Sequence, residues 1–566
     1  MNSAFSHGQT RRPPARPALR TDAVRKLPRG LLLLLCLAYI LPGFVGRDPW
    51  RSDGLNFVVM WHMAGGTIDW LHPVLYGNQV SGGGWLAYWL GAWSIEAVGG
   101  WIGPVLASRL PFMLALWTTF SLTWYAAFHL ARREAAQPVP PAFGPAIAPA
   151  DYARAIADGV LLTLLASLGL LGRGHEASPQ VLQLAAIAAI LYGSAVAGYR
   201  SGKSAAGLGL GLLVLAFSGA GWLTLLAAAV IVISLRADLR RLHWTFWLAI
   251  GVGAAAAIWA ESEQGWTMRG QWPDWATLAD FFRIGLWFTW PAWPLAAWAL
   301  WRWRESLQER HLQIAWAFSL LALLGALALG NADTVFLLSL PPLAVLGGFA
   351  LPVMRRGALA AIDWFALLFF SLLALVVWVL WIAMLTGWPP QPAANIARLA
   401  PGFRSHLEPA AVAISLLATV AWAAIVAWRT GRHRHPLWKG MVLSASGVTL
   451  IWVLVGSLWM PVLDYASTFR GVGAAIARAV DANRTPSSRS ASVCLGHAGV
   501  DLTAQALIGY WSGLAFAAPG GGSNCAYRLV TRPLPPSPAW RLLWSGGRPG
   551  ERDEPLFLYR QIGTAS

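Results

Sequence analysis

Residues 46–90 read GRDPWRSDGLNFVVMWHMAGGTIDWLHPVLYGNQVSGGGWLAYWL. Charge, histidine, glycine and tryptophan interrupt an otherwise apolar chain here in the longest such run of its early part, and Asp48, Asp53, His62, Asp69 and His72 are concentrated within it. The stretch follows directly on an apolar run, Leu31 to Val45, so it emerges at one face of a membrane. Polar groups beside a bilayer are costly unless they serve a ligand, which makes residues 46–90 the first candidate for a site.

Composition supports the membrane reading. Of 566 residues, 57% are hydrophobic and 12% charged, with a mean hydropathy of +0.52 and 35 Trp. A hydrocarbon core ~30 Å thick takes about 20 apolar residues per helix, and this chain holds many such runs. That profile disfavours a soluble fold. The net charge of +17 does not point to nucleic acid, because the arginines are dispersed between apolar spans rather than gathered on one domain. They fit positive-inside topology and attraction to anionic membrane lipid. Of three cysteines, Cys36 lies in the first apolar run, and Cys494 and Cys525 lie in the tail. Two cysteines outside the cytoplasm can pair, and the sequence leaves this pairing open.

Residues 1–30, with seven Arg and Lys among prolines, read as a disordered basic cytoplasmic arm. The span from Leu31 is an anchor rather than a signal peptide, since no small-residue cleavage site follows. Basic clusters then recur at Arg132-Arg133, Arg200 to Lys203, Arg236 to Arg241, Arg302 to Arg310, Arg355-Arg356 and Arg429 to Lys439. The chain crosses twice between successive clusters. Its turns near His175-Glu176, Gly219, Glu261 to Asp274, Asn331 to Asp333 and Trp388 to Arg404 therefore face the Asp53 side. The expectation is a polytopic α-helical membrane protein with about 13 transmembrane helices over residues 31–460. Residues 84–133 hold apolar sequence for two spans where the charge alternation asks for one. We lay Trp85 to Val98 along the membrane surface and let Val105 to Leu130 cross. Residues 461–566 read as a small α/β extracytoplasmic domain, with a helix at Gly471 to Ala482 and strands at Ala491 to Cys494, Cys525 to Val530, Arg541 to Trp544 and Leu556 to Tyr559. No cluster there suggests chemistry, and its expected role is to cover or shape the site.

An anchor, a loop opening with Asp53-Gly54, a short helical run from Asn56 to Met63, an Ile68-Asp69-Trp70 turn and a glycine-rich segment running into Tyr88-Trp89-Leu90 follow one another. This order resembles the dolichyl-phosphate-mannose protein mannosyltransferase family, and within it the bacterial lipid A aminoarabinose transferases. Gly103 to Pro111 (GPVLASRLP) is similar to the family's Ala-Arg-Leu-Pro turn, and Gly207 to Gly221 (GLGLGLLVLAFSGAG) to its Gly-Leu-Ala-Leu-Gly-Leu segment. The sequence departs from the pattern at three places. Ser81 to Gly84 stand where an acidic residue and prolines are common, Gln180 lies near an expected Asp, and Ser218-Gly219-Ala220 replace Thr-Lys-Gly.

The resemblance implies a GT-C glycosyltransferase of a bacterial inner membrane, its active site in the loop 46–90 facing the periplasm. It implies a polyprenyl-phosphate-sugar donor and lipid A or another glycan as acceptor. Such a reaction needs a carboxylate to orient or deprotonate the acceptor, cations for the leaving phosphate and an apolar groove. Asp53 is the first candidate carboxylate, although Ser52 or Asp53 would also serve as the N-cap of the helix that follows. His175 and Glu176 supply a second catalytic pole or close a local salt bridge with Arg173; the sequence leaves both open. Arg269 and Arg404, placed against the positive-inside rule, are candidates for the phosphate. Arg51, Asp69 and Glu261 complete the candidate substrate-binding set, with Arg51 alternatively paired to Asp53. A divalent metal on Glu261, Glu263 and nearby histidines is neither required nor assigned by any diagnostic spacing, so the cofactor is unknown. Two competing readings are a non-catalytic relative that binds lipid-linked sugar and a transporter or flippase. The second predicts paired mid-membrane charges and internal repeats, which this sequence does not show.

Overall fold

The chain is described by a computed structural model, covering residues 17, 19, 21–50, 52–80, 84–140, 145–236, 242–264, 275–329, 332–430, 436–484, 493–521, 525–535, 537–551 and 554–562. Arg51, Arg269 and Ser81 to Gly83 lie outside the described residues.

Helix α1 (Arg29–Phe44) leads into α2 (Ser52–Ala64), a two-residue ribbon of β1 (Val74–Leu75) and β2 (Asn78–Gln79), then α3 (Trp85–Ile102) and α4 (Pro104–Ala131). Alone between α3 and α4, Gly103 adopts φ +82°, a conformation open to glycine at no steric cost. Pro104 then fixes the first turn of α4, where no N–H is missed. The bundle continues through α5 (Pro149–Leu165), α6 (Leu168–Arg173), α7 (Pro179–Val196), α8 (Ser201–Phe217), α9 (Gly221–Ser234), α10 (Trp244–Gln264), α11 (Trp275–Phe288), α12 (Ala292–Arg302), α13 (Arg310–Leu329) and α14 (Ala332–Ala350). It closes with α15 (Arg356–Thr386), α16 (Pro390–Leu399), α17 (Pro409–Thr430) and α18 (Lys439–Leu454). Among the described residues seven helices are long and apolar enough to cross a membrane, and α1, α8 and α9 are shorter apolar helices. Helices α8 and α9 are separated by a turn at residues 218–220. The segment expected to end at Val98 continues as one helix to Ile102.

Close approach explains the glycine-rich segment. A Cβ on Gly207 of α8 would lie 3.0 Å from the Gly193 Cα of α7, so these helices touch backbone to backbone.

The two ends of the bundle are held by different contacts. At one end, Arg133 donates to the Ala195 carbonyl, Lys26 pairs with Asp151, and the Trp438 indole donates to the Arg25 carbonyl. At the other, the turn at 174–178 meets the start of α2, the Ser218-Gly219 backbone lies against Gly84, and Tyr465 donates to the Pro401 carbonyl. The described part of the basic arm differs from expectation. Residues 21–24 form a 3-10 turn, and Leu437 N–H bonds to the Ala23 carbonyl, because backbone groups beside the packed helix ends find partners there.

After α18 come a π-helical turn (Val455–Trp459), α19 (Met460–Ser467) and α20 (Arg470–Ala482). The tail sheet follows: β3 (Cys494–Ala498), β4 (Ala515–Phe516), β5 (Tyr527–Val530), β6 (Trp540–Gly546) and β7 (Leu556–Gln561), in spatial order β4-β3-β5-β7-β6. β3 runs parallel to β4 and β5, whereas β7 is antiparallel to β5 and β6. One helix, α21 (Leu502–Ser512), was not expected from the sequence. The Asp501 side chain accepts from Ala504 N–H at its start, and Gly513 takes a left-handed conformation at its end. This helix lies on α2: Leu507 packs against Gly54, and the Phe57 and Tyr510 rings meet edge to face at 4.9 Å.

Cys494 and Cys525 are joined as a disulfide, leaving Cys36 buried and free. Counting thiols by alkylation in denaturant should therefore find one reactive cysteine before reduction and three after, out of three in the chain. Three before reduction, in protein purified without reductant, would contradict the pairing.

Candidate active site

Asp53 sits in the first turn of α2, where a carboxylate faces the positive end of the helix dipole. It is 1% exposed, and such burial requires compensation. Two guanidinium groups supply it. Arg47 Nη2 approaches Asp53 Oδ2 at 2.5 Å and Arg109 Nη2 approaches the same oxygen at 3.0 Å. Asp53 Oδ1 is also buried and has no hydrogen-bond partner among the described residues.

Arg109 lies on α4 and is only 2% exposed. Its Nη1 donates to the carbonyls of Phe44 (3.1 Å) and Arg47 (2.8 Å), and its Nη2 donates to the Asp48 carbonyl (3.1 Å) besides Asp53. Four acceptors match the four terminal protons of a guanidinium, so the side chain is satisfied within the apolar bundle. Arg47 donates through Nε to the Gly43 carbonyl and through Nη2 to the His175 carbonyl at 3.1 Å. One residue thereby ties the loop after α1, the carboxylate and the turn between α6 and α7.

That turn carries His175 and Glu176, both buried. Glu176 pairs with Arg173 at 3.4 Å, the local salt bridge that the sequence left open. The His175 ring packs against Tyr39, Phe44 and Trp452, with Nδ1 2.8 Å from the Leu171 carbonyl and Nε2 2.9 Å from that of Tyr39. Burial pushes its pKa down to about 4, against the two carbonyls, which favour the protonated ring. The turn is joined to α2 a second time, as Asn56 Nδ2 donates to the Ala177 carbonyl at 3.1 Å.

The remaining candidates are distributed around this centre. Asp69 is exposed and accepts N–H bonds from His72 (2.6 Å) and Leu71 (2.8 Å), which hold its carboxyl below the ordinary value. Its turn is fastened to α3, where Trp85 and Trp89 donate to the Leu71 and Trp70 carbonyls. Glu261 is buried and accepts the Trp222 N–H at 3.0 Å, capping the start of α9. Arg404 is exposed between α16 and α17. Among the described residues, no group of three or more His, Cys, Asp and Glu side chains gathers as a metal-ligand set.

Sequence reading gave neither Arg47 nor Arg109 a role. The signal was present, since Arg109 interrupts the apolar run that becomes α4, and an arginine there needs an anionic partner.

A helix bundle of this length, a charged centre at one end and a small sheet domain on the same end describe a polytopic helical membrane protein. Among solved structures it is similar to ArnT from Cupriavidus metallidurans bound to undecaprenyl phosphate, with a TM-score of 0.61 at 12% identity over 95% of this chain and 99% of that one. It is similar as well to the same protein in the apo state, with a TM-score of 0.56 at 12% identity over 94% and 98%. No protein-family model and no curated protein matches the sequence. The likeness is one of fold, over nearly the whole chain.

Two outcomes follow from the centre. Arg109→Ala leaves Asp53 with half its compensation in a buried position and should destabilise the folded protein by about 3–5 kcal/mol; Arg109→Lys should recover little, since an ammonium cannot serve the planar set of acceptors. Thermal unfolding in detergent measures both, and a lysine variant as stable as wild type would contradict the assignment. For His175, the folded pKa of about 4 lies below the ordinary 6.5, so the unfolded chain takes up the proton first as pH falls. The stability it contributes is complete above about 6.5 and is lost between there and about 4. The unfolding midpoint should fall over that window, less steeply in His175→Gln; equal slopes would contradict it.

Proposed function

We propose that the chain is an integral-membrane glycosyltransferase that moves a sugar from undecaprenyl phosphate to lipid A or another envelope glycan, with aminoarabinose as the first candidate sugar. In this reading its active end faces the periplasm of a bacterial inner membrane. The observation that carries it is the buried Asp53 carboxylate, one oxygen held by Arg47 and Arg109 and the other unbonded among the described residues. The GT-C fold supports the donor class, since the similar ArnT structure from Cupriavidus metallidurans holds undecaprenyl phosphate.

In the reaction an acceptor oxygen bonds to the anomeric carbon, the bond from that carbon to the phosphate oxygen breaks, and its electron pair leaves with the polyprenyl phosphate. An acceptor hydroxyl passes its proton to Asp53 Oδ1. An acceptor phosphate arrives as an anion, needs no base and leaves Asp53 to position groups. The geometry favours the second course, because Arg47 and Arg109 both hold Asp53 Oδ2 and fix the carboxylate as an anchor for positioning. Arg404, exposed on the same end, is the candidate for the leaving phosphate. Arg269 remains a candidate from sequence alone.

Mass spectrometry of lipid A and envelope glycans, after deletion of the gene and complementation, tests this. Wild type should restore one lost sugar modification, while equally expressed Asp53→Asn should leave it reduced by about 100-fold or more. Full restoration by the variant would remove Asp53 from the site. A deletion that changes no glycan would favour the non-catalytic relative or the transporter.

A further inference from the structure

Asp48 uses every polar group it has to connect two bodies of the protein. Its carbonyl accepts from Arg109 Nη2 at 3.1 Å and from Arg47 Nη1 at 3.4 Å, the two arginines that hold Asp53. Its N–H donates to Asp464 Oδ1 at 2.8 Å, on α19. Its carboxylate accepts from the Thr468 hydroxyl at 2.9 Å through Oδ2 and pairs with Arg470 through Oδ1. Thr468 and Arg470 belong to the junction where α19 passes into α20, and Arg470 stacks over the Trp511 ring of α21 at 4.4 Å. Asp48 is buried, and Pro49 after it restricts its backbone to extended conformations. A shift of α20 is therefore passed to the Asp48 peptide, and from it to both guanidinium groups.

We propose that Asp48 is a positioning residue through which the C-terminal domain sets the geometry of the Asp53 carboxylate. The proposal rests on the glycosyltransferase reading for its kinetic consequence, but not for its structural one. The domain is then more than a cover, since the catalytic loop reaches its working geometry only with α20 docked. Nothing in the reaction touches Thr468 or Arg470; they act by holding Asp48, which holds the arginines.

The test uses full-length protein with undecaprenyl-phosphate-linked sugar as donor, comparing Arg470→Gln and Thr468→Val with Arg470→Lys, Thr468→Ser and an exposed control on α20, Arg478→Ala. The Arg470 side chain is 60% exposed, so its replacement leaves the fold intact. Misplacement of a reacting group by ~1 Å can cost about 100-fold, and the first two variants should lose about 10- to 100-fold in kcat with donor KM within about twofold of wild type. The conservative pair should recover most of the rate, and Arg478→Ala should match wild type. Hydrogen exchange supplies a readout without activity: amides of Phe44 to Trp50 and Gly54 to Met60 should exchange faster in Arg470→Gln and unchanged in Arg478→Ala. Unchanged kcat in both Arg470→Gln and Thr468→Val, an equal loss in Arg478→Ala, or unchanged exchange in the loop would overturn the proposal. A wild-type protein with no transfer activity would instead refute the glycosyltransferase reading, and the exchange measurement would still decide the coupling.

Discussion

A carboxylate buried at the edge of an apolar bundle is the constraint on which the rest depends. Left alone, Asp53 would face a desolvation cost of several kcal/mol, and its attraction to one cation repays that only in good geometry. The protein places two guanidinium groups on one oxygen and anchors each with backbone carbonyls from the end of α1 and the loop after it. Arg109 has no slack: its terminal protons all have acceptors, Asp53 Oδ2 and three main-chain carbonyls whose positions are fixed by α1 and the Gly46 to Asp48 turn. Charge, hydrogen bonding and chain path are thus determined together. The price is that any change in one arginine is felt by the carboxylate.

The bundle serves this centre by bringing distant segments to one end. Turns that are far apart in sequence meet there because antiparallel apolar helices return the chain to the same level, and positive charge at the other end fixes which level that is. The aromatic residues of the loop are largely structural: Trp85 and Trp89 fasten the Asp69 turn to α3, and Trp61 packs with Tyr510 of the tail. The tail domain lays α21 on α2 and the start of α20 on Asp48, and its disulfide joins the first residue of β3 to the segment before β5.

Much of this architecture was legible because it is written in patterns of composition. Alternating basic clusters and apolar runs located the helices and paired the turns, and glycine-bounded apolar stretches located four strands of the tail to within a few residues. Helix α21 was readable too, from Asp501 at its cap and Gly513 beyond its end, but its mixture of Gly, Tyr and Trp masked the helical period. The centre was legible only in part. Asp53 stood out by its position and by the family resemblance. Its partners did not, because Arg47 and Arg109 are brought to it by tertiary contacts 6 and 56 residues away in sequence. His175 was visible as a histidine near a turn, whereas its ring faces the carbonyls of Leu171 and Tyr39, and no side-chain pattern reports a backbone acceptor. Asp48 stood only as one of several polar residues in the loop, and its link to Arg470 lies 422 positions away.

The most direct test of the central claim is to photo-crosslink purified protein with an undecaprenyl phosphate analogue carrying a diazirine beside its phosphate, then map the modified peptides. The account predicts adducts in the segments around Asp53, namely residues 44–64, 84–92 and 174–184, reduced by competition with unmodified undecaprenyl phosphate. Competable adducts confined to the basic end, around Arg133, Lys203 and Arg310, would contradict it.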